Sequence, residues 1–415
     1  MAIKHEKSPV RESSRGLSRR GFLAGAGAAA YPFTIMKPEL VRGSQANSKL
    51  SLGMIGCGGR GTWLSGLFHK HGGYQVTAAM DYFPGQVDAF GEKFNVPPTR
   101  RYSGLAGYRR MLEHKVDAVA IESPPYFHPE QAAAAVDAGV HVYLSKPMAV
   151  DVPGCRSINT SGKKATEKKL AFLIDFQTRT DPFHQEAVLR ARNGDIGRII
   201  SGEAAYLAGS PFGRQVEHLK VDPQDPERQL YAWGISRALS GDIITEQNIH
   251  AIDVMTWVLD QHPIRAIGTC GLKSRTMGDC HDHFSVIFRF AEDVVVTFYS
   301  KQYGAGWDDV FCRMYGTEGT LDAHYDGDVS IRGKKAYPGG RDSTLYTAGA
   351  VRNIATFYDD IAHGRWENPT VGPSVRSNLA TILGRAAAYK RAEITWDEMM
   401  RSEERLVPQL SGLKE

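Results

Sequence analysis

From residue 50 onward, short apolar runs alternate with amphipathic stretches. Runs at 50–55, 74–80, 116–121, 140–144 and 170–176 read as strands, and residues 62–71, 86–94, 128–138 and 153–169 read as helices between them. Strands alternating with helices of this length predict βαβ units and a parallel, doubly wound sheet. The pattern then changes. After a helix at 182–192, apolar runs at 199–207, 264–272, 284–290, 294–299 and 310–315 follow with few helices between them, which predicts a mostly antiparallel second sheet. Residues 210–231 carry Pro211, Pro223 and Pro226 among polar residues and read as a long surface loop. Two helices, near 350–363 and 374–391, close the pattern.

Before residue 47 the chain has a different character. A basic, polar stretch leads to Ser18-Arg19-Arg20-Gly21-Phe22-Leu23, followed by an Ala/Gly-rich apolar run to about Ile35 and by Ser44-Gln45-Ala46. Twin arginines, an apolar run and small residues before a cleavage point resemble a twin-arginine (Tat) export signal, so residues 1–46 are expected to be removed after Ala46 on export to the periplasm or another extracytoplasmic space. The run is shorter than the roughly 20 residues a spanning helix needs. Removing those residues changes the charge picture: the formal +4 of the whole chain becomes 42 basic against 43 acidic residues. A near-neutral body offers no electrostatic case for nucleic acid or an anionic membrane as partner. Hydrophobic residues at 42% and charged residues at 23% are ordinary for a globular protein. The remaining length exceeds what one core serves, and residues 47–172, 173–390 and 391–415 read as a first domain, a second domain and a tail. Five cysteines, few and odd in number, imply no disulfide framework.

Gly56-Cys57-Gly58-Gly59-Arg60-Gly61 fits G-x-G-x-x-G between an apolar strand and a helix, and Asp81 ends the next strand 20 residues past Gly61. Each position has a physical task. Gly56 permits the tight turn, Gly58 lets backbone approach a pyrophosphate, Gly61 lets helix pack on strand, and the helix N-terminus attracts phosphate. This is the fingerprint of a Rossmann dinucleotide site. Asp81 would accept the adenosine ribose hydroxyls and repel a 2′-phosphate, favouring NAD over NADP. Arg60 either assists the pyrophosphate or faces solvent, and Cys57 reads as a small packing residue.

In open α/β sheets the chemistry lies beyond the C-terminal strand ends. Two ends stand out there: Glu122-Ser123-Pro124-Pro125-Tyr126-Phe127-His128 and Ser145-Lys146-Pro147. Ser123, Pro124, His128 and Lys146 are candidate cofactor contacts. Lys146 could also hold or protonate a substrate oxygen, or be a surface lysine in a turn. In the second domain Glu246, His250 and Asp253 fall at i, i+4 and i+7, one face of a helix. Glu246 orienting the His250 imidazole would make a general acid/base pair; a core histidine satisfied by a local carboxylate is the alternative. Tyr126, Gln177, Arg179, Asn248, Asp253 and His283 are candidate substrate contacts. His281-Asp282-His283, after Asp279 and Cys280, lacks a second ligand group at fixed spacing and is read as a loop or substrate contact, with no metal assigned.

With these motifs in hand, the chain resembles the Gfo/Idh/MocA family, which includes glucose–fructose oxidoreductase and inositol dehydrogenase. The likeness spans most of residues 50–390: the Gly motif, Ser-Pro-x-x-x-His, the strand-end Lys-Pro, and the acid-x-x-x-His pair. It implies a Rossmann sheet joined to an open, mostly antiparallel sheet that often forms an oligomer interface, so a homo-oligomer (dimer or tetramer) is expected. It also implies hydride transfer between nicotinamide and a CH–OH of a sugar, polyol or cyclitol. Lys146 then matches the family's catalytic Lys, His250 its acid/base and Glu246 the Asp four residues before it. Two positions depart from the family pattern: Ser145 stands where Glu is usual, and Glu246 where Asp is usual. A second function stays open, in which a tightly held, internally recycled NAD serves glycoside hydrolysis or elimination. Export favours it, because free NAD is scarce outside the cytoplasm.

Overall fold

The computed structural model describes residues 49–415; the export signal and its cleavage point lie outside them. Among the described residues are two sheets. The first runs through β1 (Leu50–Ile55), β2 (Tyr74–Asp81), β3 (Arg101–Ser103), β4 (Ala118–Ile121), β5 (His141–Ser145) and β6 (Phe172–Asp175). Its spatial order is β3-β2-β1-β4-β5-β6, and every neighbouring pair is parallel. The order reverses between β1 and β4, which opens a crevice at their C-terminal ends. Helices cover both faces, so β4 and β6 are buried at every position.

The second sheet collects β7 (Ile199–Ala208), β8 (Arg265–Gly271), β9 (His283–Arg289), β10 (Val295–Gln302), β11 (Asp309–Gly316), β12 (Gly319–His324), β13 (Val329–Gly333), β14 (Tyr337–Gly340) and β15 (Ile394–Thr395). Its order is β14-β13-β12-β11-β7-β10-β9-β8-β15. All pairs are antiparallel except β7 with β10. Burial alternates residue by residue, as in β9, where Phe284, Val286 and Phe288 point inward while Ser285, Ile287 and Arg289 are exposed. One face packs on helices and the other is open. The short strands β12 to β14 were not legible in the sequence, because their apolar positions are few and separated by Gly and Asp.

Two further expectations change. The stretch 210–231 is not a loop: it forms helices Gly213–Val221 and Pro226–Tyr231. Pro226 sits in the first turn of the second, where no backbone donor is missed, and Asp225 accepts the N–H groups of Glu227 and Arg228 at 2.8 and 3.2 Å. The predicted helix through 246–253 is broken: Ile243–Glu246 ends, and Ile249–Leu259 begins only after two intervening residues.

The helix Val371–Lys390 lies between the sheets, with most of its residues buried. Asn378 Oδ1 accepts the N–H groups of Met148 and Ala149 at 2.9 and 3.2 Å, and its Nδ2 donates to Ala149 O at 3.1 Å. Arg385 donates to Gly241 O at 2.6 Å and to Val150 O at 2.8 Å. One helix thus ties the loop after Lys146 to the segment before Glu246.

Candidate active site

The Gly motif occupies the turn from β1 into the helix Gly59–His71. Gly56 has φ +96°, and a Cβ on it would meet the Glu122 carbonyl at 2.6 Å. A Cβ on Gly61 would lie 1.9 Å from Gly56 O. No larger residue fits either position without moving backbone. The Asp81 carboxylate accepts the N–H of Cys57 at 2.8 Å and of Phe83 at 3.0 Å. Burial raises its pKa, against those backbone donors. The Cys57 thiol itself is buried and turned to Met80 O, a packing residue.

A cleft of about 760 Å³ opens over this turn. Its walls include Gly56, Gly58, Gly59, Asp81, Ser123 and Pro124 on one side, and Phe212, Arg214, Tyr231 and Trp233 on the other. The segment expected to be loop therefore roofs the cleft. Tyr82 OH donates to Glu227 at 2.8 Å, and the tail joins in: Leu105 N–H donates to Lys414 O at 2.9 Å, while Leu413 packs against Tyr82 and Leu230. Glycine turn, exposed helix N-terminus and acid at the end of β2 fit an adenine dinucleotide, with Gly58 and Gly59 toward the phosphates.

A second cavity, about 240 Å³, adjoins the first, and both are lined by Glu122, Ser123 and Trp233. Its wall also holds Arg60, His128, Lys146, Gln177, Glu246 and His250. Lys146 Nζ donates to Glu246 O at 2.8 Å and stands 3.5 Å from Glu246 Oε1. The helix break explains the first contact. The amide of His250 bonds Gln247 O instead of Glu246 O, leaving the Glu246 carbonyl free for lysine. Burial lowers the Lys146 pKa against the pull of Glu246. His250 is held well below its usual pKa by burial, then by Lys146 and Arg60. Its ring packs against Phe176 and Tyr325, and Nδ1 has no partner. Glu246 therefore pairs with Lys146 and does not hold the imidazole, contrary to the sequence reading.

Other expectations are corrected too. Asp253 is fully buried, binds Arg179 through Nε and Nη2 at 2.8–3.2 Å and accepts from Ser377 at 2.6 Å, so this pair braces the second domain away from the cavity. Tyr126 packs in the cluster of Tyr82, Phe127 and Leu413. His283 bonds Asp282 at 2.7 Å, and Asp282 collects the N–H groups of Lys273, Ser274 and Arg275, so that trio shapes a loop. Asn248 is buried at the helix break with neither amide atom paired. His128 bridges Ser123 O and Pro147 O at 2.7 and 2.8 Å, linking the two strand-end loops. Gln177 does reach the cavity, with Oε1 unpaired.

The Arg60 side chain, 27% exposed, is engaged by other side chains. It crosses into the small cavity and bonds Glu122 at 3.1 Å, Asp175 at 2.6 Å and Tyr346 OH at 2.9 Å. Sequence reasoning missed Asp175, Tyr346 and Tyr206; only the strand-end position of Asp175 could have signalled it.

A reversed-order parallel sheet with a glycine turn, joined to a second domain that delivers Glu246 and His250 to the strand ends, defines a dinucleotide-dependent oxidoreductase. The chain belongs to the Gfo/Idh/MocA family: "Oxidoreductase family, NAD-binding Rossmann fold" matches residues 50–172, and the family's C-terminal domain matches 184–322. An inositol 2-dehydrogenase from Acidothermus cellulolyticus is 24% identical over 271 residues, 64% of this chain and 72% of that protein. A glycosyl hydrolase family 109 protein from Phocaeicola vulgatus is 28% identical over 178 residues, 42% of this chain and 32% of that one. A levoglucosan dehydrogenase solved with NADH and levoglucosan superposes with a TM-score of 0.67 at 17% identity, covering 84% of this chain and 99% of that one. That likeness is one of fold.

Proposed function

We propose that the protein oxidises a CH–OH of a sugar, polyol or cyclitol with NAD, working as an exported homo-oligomer. The observation that carries it is the small cavity, where Lys146 and His250 meet at the mouth of the dinucleotide cleft. Bound NAD would supply a hydride acceptor. Lys146, fixed by Glu246, binds and orients the hydroxyl oxygen. His250, kept neutral by burial, accepts the hydroxyl proton. The roof shields the cleft from water, and Phe176 and Tyr325 pack against the His250 ring. Asp81 favours NAD over NADP for want of room and charge for a 2′-phosphate.

Dehydrogenation is favoured over glycoside hydrolysis by the extent of likeness: the inositol 2-dehydrogenase is matched over 72% of its length, the glycosyl hydrolase over 32%. Export rests on residues 18–46. The homo-oligomer reading is supported by the open sheet face, where Ile267 and Ile287 pair across β8 and β9 while 46% and 42% exposed. Mass spectrometry of the denatured protein should find NAD, and a screen of cyclitols, sugars and aryl glycosides should show NADH formed with one of the first two. Cleavage of an aryl glycoside without net NADH would replace the dehydrogenase reading by the hydrolytic one.

A further inference from the structure

Glu122 is a buried acid that the reading above leaves without a task. It follows β4, and its side chain is 1% exposed although it borders both cavities. β4 pairs in parallel with β5, Ile121 beside Leu144, which sets Glu122 next to Ser145, the residue before Lys146. Oε2 accepts from Arg60 Nε at 3.1 Å. Oε1 is buried without a hydrogen bond of ordinary geometry, as is the Ser145 hydroxyl. Arg60 is shared, since its Nη2 holds Asp175 at 2.6 Å. A buried carboxylate with half its acceptor capacity unused is costly. Such a group calls for a proton or a second cation.

We propose that Glu122 is the carboxylate that decides which redox form of the dinucleotide the protein holds, favouring the oxidised form from its place at the junction of the two cavities. This rests on the dinucleotide reading above. The oxidised nicotinamide carries a positive charge that reduction removes, so an ionised Glu122 is stabilised by the first form and not by the second. The groups facing Glu122 are Arg60 from the helix Gly59–His71, Tyr143 and Ser145 from β5, and Asp175 from β6. Lys146, Glu246, His250 and Tyr346 complete the surrounding wall. Burial raises the Glu122 carboxyl to about 7, with Asp175 adding to it and Arg60 and Ser145 opposing. Its proton is therefore exchangeable near neutrality, while His250 is pushed well below that range. Bound nicotinamide would supply the hydride acceptor; His250 would take the hydroxyl proton, and Glu122 would take one further proton from solvent when the ring charge is lost.

The test is equilibrium binding of NAD and of NADH to the mature protein freed of nucleotide, between about pH 6 and 8.5, the range spanning the Glu122 transition. The preference for NAD over NADH should rise with pH by about tenfold, one pKa unit of coupling. Glu122→Gln should flatten that slope and shift the preference toward NADH. The double variant Glu122→Ala, Ser145→Glu moves the carboxylate one strand across and should restore the slope. A parent ratio independent of pH, or a slope retained in Glu122→Gln, overturns the proposal; should the variants fail to fold, the parent slope decides alone. A parent that binds neither form would instead sink the dinucleotide reading itself, a distinct outcome.

Discussion

The two adjoining cavities are made of different material. Under its roof of side chains, the floor of the large cleft is shaped by backbone: two glycines that admit no Cβ, a helix N-terminus and one acid already satisfied by amides. The small cavity is shaped by side chains from β4, β5, β6 and the second domain. Glu122, Ser145, Gln177, Glu246 and His250 each leave a buried polar atom unpaired there. A surface of backbone and glycine recognises a ligand common to many chemistries. A surface of unpaired polar side chains is costly until a specific ligand satisfies it, so specificity and reactivity belong to the second.

The contrast can be broken first at its reactive side. Lys146→Ala and His250→Ala should each lower turnover by about 10²–10⁴, the usual loss for a positioned acid/base, while NAD affinity measured by titration stays within a few-fold. If His250→Ala turns over nearly as fast as the parent, the histidine is core and the division between the cavities fails. At the binding side, Asp81→Ala should weaken NAD by about tenfold, the loss of a charge-assisted contact to ribose, and should relax discrimination against NADP with turnover at saturation preserved. Equal affinity of the parent for both cofactors would remove Asp81 from that part. The smallest effect concerns the roof: deleting residues 412–415, which removes Leu413 and Lys414 from Tyr82 and Leu105, should speed NAD release by about threefold, about 0.7 kcal/mol, in a stopped-flow chase. An unchanged rate would make the tail a bystander.

A pH scan of stability sharpens the comparison further. Glu122 is raised by burial from its usual 4.5 to about 7, so the folded apo protein holds this proton more tightly than the unfolded chain. Its contribution is full at acid pH and is lost as pH rises toward and through 7. Relative to the parent, Glu122→Gln should lose less melting temperature over that interval. Parallel curves would show that Glu122 titrates alike in both states.

What could be read from the chain differed between the same two regions, for a physical reason. Strand, turn and helix of the large cleft are contiguous, so G-x-G-x-x-G and Asp81 appear as spacing, and the parallel sheet appears as strands alternating with helices. The run of strands with few helices between them likewise announced the mostly antiparallel second sheet. Lys146 and His250 could be picked out because each sits in a local pattern, a strand end and an acid-x-x-x-His. Their partners could not. Glu246 turns to Lys146, 100 residues away along the chain, where the helix breaks at Gln247, and the helix that braces the two segments, through Asn378 and Arg385, is more distant still. Arg60 leaves its own loop for Glu122 and Asp175, 62 and 115 residues on, and Asp253 is spent on Arg179. Local periodicity determined the elements, the dinucleotide turn and the two candidate reactive residues; which charges meet in the small cavity was decided only when three strand ends and a second domain were brought to one point.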